Sequence, residues 1–160
     1  MCRIYGKEEQ KKAVAAQVQE LRKNASYYPI IARVLREFDG KVFNCRLEKA
    51  LKEATENNVY VQKRMDWIEI YSFNRGAQYT LAQIRKDTMP DGKRICAADF
   101  IESAQVHRTA FLKKAADIER LADNMETVTA QLDGLKKAYN AIVDNMPYEL
   151  RDIYGIDRKW

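Results

Sequence analysis

Residues 66–85, DWIEIYSFNRGAQYTLAQIR, decide the fold class. Most of the surrounding chain has helical periodicity; this stretch alternates. Trp67, Glu69, Tyr71 and Phe73 fall on one side of a strand, and Ile68, Ile70 and Ser72 on the other. Asn74-Arg75-Gly76 has the turn chemistry to reverse the chain, and QYTLAQIR (78–85) reads as the next strand. Upstream, VYVQKR (59–64) carries the same β-branched and aromatic residue types. Together these segments predict a small three-stranded antiparallel meander. Large aromatics clustered on one side of a small sheet favour that side as the core, under covering helices. The other reading turns Trp67, Tyr71 and Phe73 outward, to stack bases beside Arg64 and Arg75 as single-strand binders do. No RNP-type signature accompanies them.

Working outward from the sheet, helical patterns dominate. KEEQKKAVAAQVQELRKN (7–24) places Val14, Val18 and Leu21 on a narrow apolar stripe, and Tyr27-Tyr28-Pro29 ends it. IIARVLREF is a short helix closed by Asp39-Gly40, and Asn44 is placed to cap a helix over 45–56 with Leu47, Ala50, Leu51 and Ala54 on one face. KDTMPDGKR (86–94) reads as a polar loop. From Ala97 to Met146 the helical period returns. Ile101, Ala104, Phe111, Ala115, Ile118 and Leu121 form one stripe; Val128, Leu132, Leu135, Tyr139, Ile142 and Met146 form a heptad seam. That seam is expected to be buried against the N-terminal helix or a second copy of itself. Asp123-Asn124 leaves open whether this stretch is one helix or two. Pro147 and Gly155 bracket a short terminal helix. The expected architecture is therefore α+β in a single domain over 1–160. A small three-stranded antiparallel sheet with short helices (28–95) packs beside a long antiparallel helical, coiled-coil bundle. The bundle is formed by the N- and C-terminal helices (7–24 and 97–146), and a short helix (147–155) ends the chain.

Composition narrows the function classes. The chain has 160 residues, 46% hydrophobic and 32% charged, with six Gly and three Pro, which is a globular and not a disordered balance. No apolar run reaches the ~20 residues of a membrane span, so no membrane partner is expected. MCRIYGKEEQKK has no signal-peptide core, which makes the cytoplasm the expected location. Cys2, Cys45 and Cys96 are odd in number and scattered, which predicts free thiols. His107 has no metal-ligating residue four positions on, so no metal or cofactor is expected. Neither a phosphate-cradling glycine loop nor a nucleophile elbow is present, and no catalytic residues are assigned. The net charge of +5 is concentrated in residues 1–36, which hold eight Lys/Arg against three Asp/Glu. Arg3, Lys7, Lys11, Lys12, Arg22 and Lys23 would attract phosphate backbones or an acidic protein surface, or form an ordinary solvated helix face.

The segment REFDGKVFNCRLEKALKEAT (36–55), the sheet-forming middle, the long helical tail and the ending MPYELRDIYGI (146–156) resemble small uncharacterised accessory proteins of phages and mobile elements in Firmicutes. No functional residues carry over. The resemblance implies a genomic setting in which small non-enzymatic proteins bind and block host defence machinery, anti-CRISPR proteins among them. From the residues, 36–51 reads as a helix-to-helix joint with Phe38 and Phe43 as anchors. The competing reading makes Lys41, Arg46, Lys49 and Lys52, with Arg64 and Arg75, the rim of a partner-binding surface. The expected function is thus a non-enzymatic binding protein that occupies a surface of a host protein or ribonucleoprotein complex. A basic nucleic-acid-binding accessory protein is the alternative, and a structural coiled-coil assembly protein, including a homodimer through the helical bundle, is a further one.

Overall fold

In the computed structural model, which describes residues 6–156, β1 (Val59–Lys63), β2 (Trp67–Asn74) and β3 (Ala77–Arg85) pair antiparallel in chain order. The β2–β3 turn runs through Arg75 and Gly76, both at positive φ (48° and 78°). Between β2 and β3 the register shifts once. Ile70 lies opposite Ala82 and Tyr71 opposite Thr80, so Leu81 is the extra residue of a β-bulge. Strict alternation would set Leu81 and Ile84 on opposite sides of β3. The bulge turns Leu81, Ala82 and Ile84 all inward, and all three are buried.

The buried side of β2 is the Ile68-Ile70-Ser72 side, not the aromatic one. This corrects the expectation that Trp67, Tyr71 and Phe73 form the core. Ile70 is fully buried, whereas Trp67 is 38% and Phe73 57% exposed. The physical reason lies between them: Glu69 shares the aromatic side, and a carboxylate set into an apolar core costs several kcal/mol. The apolar side is covered by Ile31, Val34 and Leu35 of α2 (Tyr28–Glu37), Leu47 and Leu51 of α3 (Cys45–Ala54), and Phe100 and Ala104 of α4 (Ala97–Asp144). Met89, from the segment read as a polar loop, joins the same core.

Polar contacts tie the helices to the sheet. Both sheet edges are met by helix side chains: Val61 N–H donates to Glu48 Oε2 of α3 (3.1 Å), and Gln83 N–H donates to Ser103 Oγ of α4 (2.9 Å). Ser72 Oγ donates to the buried Asn24 Oδ1 (2.7 Å) of α1 (Lys7–Ser26). Asn44 Oδ1 accepts from Arg46 N–H (2.9 Å), the cap expected for α3. The stretch between α2 and α3 is a joint, as its anchors suggested: Phe38 and Phe43 pack against the core. Its backbone is zipped to the segment before α4, with Gly40 N–H to Ile95 O (2.9 Å), Ile95 N–H to Lys41 O (2.8 Å) and Phe43 N–H to Lys93 O (2.8 Å). Asp39 Oδ1 accepts from Ala97 N–H (3.0 Å), the first residue of α4.

The chain divides into two compact units, the first ending at Ile118 and the second beginning at Glu119. In the first, Val18 and Leu21 of α1 bury Ala115 of α4, with Val14, Phe111 and Ile118 around them. In the second, α4 continues through Asp123-Asn124 without interruption to Asp144, and α5 (Tyr148–Ile153) follows Pro147. Gly155 closes α5 at φ 67°; its N–H donates to Asp152 O (3.2 Å), and Ile156 N–H donates to Arg151 O (2.8 Å). Of the expected seam, Val128, Leu132, Leu135 and Ile142 are exposed and Tyr139 and Met146 half-buried, while Val143, one residue off it, is buried. The Val143 carbonyl accepts from Arg151 Nη2.

Asp39→Ala leaves the leading N–H of a long helix without its carboxylate. We expect a loss of about 0.5–2 kcal/mol in urea denaturation, with Asp39→Asn recovering most of it, because an amide oxygen still accepts the bond.

Candidate functional site

With its apolar side covered, the sheet presents an outer side built around Glu69, which is only 7% exposed despite facing away from the core. Pairing sets Trp67 opposite Arg85, Glu69 opposite Gln83, and Tyr71 between Tyr60 and Thr80. Glu69 Oε1 accepts from Thr80 Oγ1 (2.6 Å) and Gln78 Nε2 (3.1 Å), while Arg64 Nε lies 3.7 Å from Oε2. These partners satisfy a shielded carboxylate that would otherwise be costly. Arg64, Trp67, Glu69, Gln78, Thr80 and Gln83 line an open depression of about 410 Å³.

Cations sit over the aromatics on this side. The Arg85 guanidinium is 5.8 Å from the Trp67 ring centroid and also pairs with Asp87 (3.2 Å). Tyr60 and Tyr71 contact at 5.6 Å with a 30° tilt, and Lys52 Nζ lies 5.4 Å from the Tyr60 ring. The Lys52 ammonium is held above the usual lysine range, first by its hydrogen bond to Glu48 (2.9 Å). Arg64, Lys52 and Arg85 therefore each have an acidic neighbour. A surface of aromatic rings and paired charges suits recognition of a partner surface.

The partner-binding residues read from the sequence separate into two groups. Lys52 and Arg64 reach the outer side of the sheet, and Arg75 lies in the β2–β3 turn beside exposed Phe73. Lys41, Arg46 and Lys49 are exposed on the α2–α3 joint and on α3, with Lys41 Nζ 5.2 Å from the Phe38 ring. Of the nucleic-acid candidates, Arg3 lies outside the described residues, as does Cys2. Lys7, Lys11, Lys12, Arg22 and Lys23 are exposed on α1. At 3.6 residues per turn, Lys7, Lys11 and Arg22 follow one line and Lys12 and Lys23 another about a quarter turn away, so they form no single cluster. Glu69 and Arg85 were missed in the sequence reading. The signal was available, since a glutamate amid an aromatic stripe argues that the stripe faces outward.

Among the described residues no group of three or more His, Cys, Asp and Glu side chains is arranged to hold a metal ion. His107 Nδ1 bonds the Ser103 carbonyl one turn back (2.8 Å), and Cys45 and Cys96 are free. No described helix is long and apolar enough to cross a membrane. No family model, no curated protein and no solved structure matches the chain.

Glu69→Ala should destabilise the protein by about 1–3 kcal/mol in thermal or urea melts, because Thr80, Gln78 and Arg64 lose a shared acceptor. Glu69→Gln retains an acceptor and should cost less than half as much.

Proposed function

We propose that this is a non-enzymatic, cytoplasmic binding protein that holds a macromolecular partner on the outer side of its sheet. The observation carrying this reading is a tryptophan and a phenylalanine left exposed on the outer side of the sheet, beside arginines and a depression lined by Glu69. Tryptophan, tyrosine and arginine are the residue types that dominate binding energy at protein interfaces. The pairing of Arg64, Arg85 and Lys52 with nearby acids favours a protein surface over a phosphate backbone, which needs cations free to replace counterions. The resemblance of 36–55 and 146–156 to phage and mobile-element accessory proteins supports a host defence complex as the partner, blocked by occupation as anti-CRISPR proteins block theirs.

A nucleic-acid reading keeps one observation in its favour: Arg64, Arg75 and exposed Trp67 and Phe73 share the region that a single strand would need. One experiment separates the two. Tagged protein is incubated with host lysate, with and without nuclease. Trp67→Ala and Phe73→Ala are expected to abolish capture that nuclease leaves intact, each weakening binding by about 2 kcal/mol or more. If binding instead goes to single-stranded DNA or RNA at sub-micromolar affinity, with a log–log salt slope near −3 for about four contacts, the protein-surface reading is wrong.

A further inference from the structure

Asn24 is buried to 2% exposure near the end of α1, and its amide is only half used. Oδ1 accepts from Ser72 Oγ of β2 (2.7 Å), whereas Nδ2, equally shut off from solvent, has no hydrogen-bond partner. Rotating the amide by 180° does not help, because it only exchanges the atom that is stranded. Asn24 lines a cavity of about 10 Å³ whose inner end is walled by buried Ile31, Leu81 and Ala104. None of these three offers a hydrogen-bonding side chain. We propose that the cavity is a binding site for a single ordered water, which accepts from Asn24 Nδ2 and which Arg108 of α4 holds in from the rim.

Size, polarity and access select the ligand. One water needs about 10–15 Å³, so the cavity admits one and nothing larger. A wholly apolar cavity stays dry, whereas an amide donor on the wall is costly to leave unpaired and draws a water in. The amide and charged groups at the site are both donors: Asn24 Nδ2, and the Arg108 guanidinium, which has five N–H groups and no acceptor. That excludes a cation, and the two lone pairs of one water oxygen satisfy both donors. Arg108 is in place for the second bond. It is exposed, yet its guanidinium carbon lies 5.5 Å from the centroid of the Tyr28 ring, and both residues line the cavity. Tyr28 is half-buried, so this stacked pair forms the solvent side and Asn24 the floor. The water then joins α1 to α4 beside the point where Ser72 already ties α1 to the sheet. Two bonds to protein lie within the two to four that buried waters make.

Two measurements on the full chain test this. In a high-resolution crystal structure, a water peak is expected about 2.7–3.2 Å from Asn24 Nδ2. In solution, oxygen-17 relaxation dispersion counts long-lived internal waters, and the wild type should hold one more than the double variant Asn24→Leu, Ser72→Ala. Replacing both members of a buried polar pair by apolar groups is close to neutral for folding, and circular dichroism checks that helix and sheet content are kept. Arg108→Ala should retain the water but shorten its residence about tenfold, the equivalent of one hydrogen bond. Equal water counts in wild type and double variant, a dry cavity in the crystal, or a protein acceptor on Nδ2 there would each overturn the site. Unchanged residence in Arg108→Ala would overturn the part given to Arg108.

Discussion

A sheet of three strands covered by helices on one side has a single dry face, and everything else in the first unit follows from which residues occupy it. In β2 the choice is between Ile68-Ile70-Ser72 and Trp67-Glu69-Tyr71-Phe73. The aromatics carry more apolar area, but they share their side with a carboxylate. The aliphatic set carries only a hydroxyl, which Asn24 satisfies at 2.7 Å. Burying Ile68 and Ile70 is worth roughly 1.5–3 kcal/mol each, which together outweighs the cost, about 1–3 kcal/mol, of the buried Asn24 Nδ2 left without a partner in the chain. The bulge at Leu81 is the second half of the same solution. It gives β3 three inward apolar side chains within four residues, Leu81, Ala82 and Ile84, where strict alternation allows two.

Once the sheet is oriented, the helices are placed by polar contacts at their ends and edges as much as by the core. Asp39 illustrates how one residue serves two elements. It ends the α2 region beside Gly40, whose φ of 74° makes the turn, and its carboxylate accepts the first N–H of α4. The zipper between residues 40–43 and 93–95 brings those two sites together across more than fifty residues of sequence. Tyr79 makes a similar bridge. Its hydroxyl donates to Glu20 of α1 at 2.9 Å and its ring edge meets Phe111 of α4, an environment in which burial and the Glu20 contact raise the phenol above its ordinary range.

Local chemistry was legible in the sequence, and choices made by tertiary packing were not. Asn44 as a cap, Asp39-Gly40 as a turn, the meander order and the closing of α5 by Gly155 each depend on a few adjacent residues, and each is where its chemistry implied. The outer position of Trp67 and Phe73 depends on weighing area against one glutamate, and area alone misleads. Met89 reached the core from a segment of charged residues because a single methionine has no period to reveal it. The seam is the converse case. Its heptad was plain in the sequence, but periodicity does not say which positions are buried, and Val128, Leu132, Leu135 and Ile142 are exposed whereas Val143 beside them is not.

The charge arrangement on the outer sheet also constrains how a partner can be held. With Arg64 beside Glu69, Arg85 beside Asp87 and Lys52 beside Glu48, the local field is close to balanced. Long-range steering is then weak, and an encounter proceeds at the ordinary rate of a neutral docking event. For the partner proposed above, affinity would come instead from slow dissociation, through apolar side chains that lose their remaining exposure on contact. Trp67 and Phe73 have that exposure to lose, and neighbouring Thr80, Gln78 and Arg64 are already committed to Glu69, so little side-chain freedom is surrendered when they are covered. Two exposed aromatics at opposite ends of β2 on a charge-balanced sheet form a surface on which, under the proposed reading, specificity would lie in shape and hydrogen bonding and binding would depend little on salt.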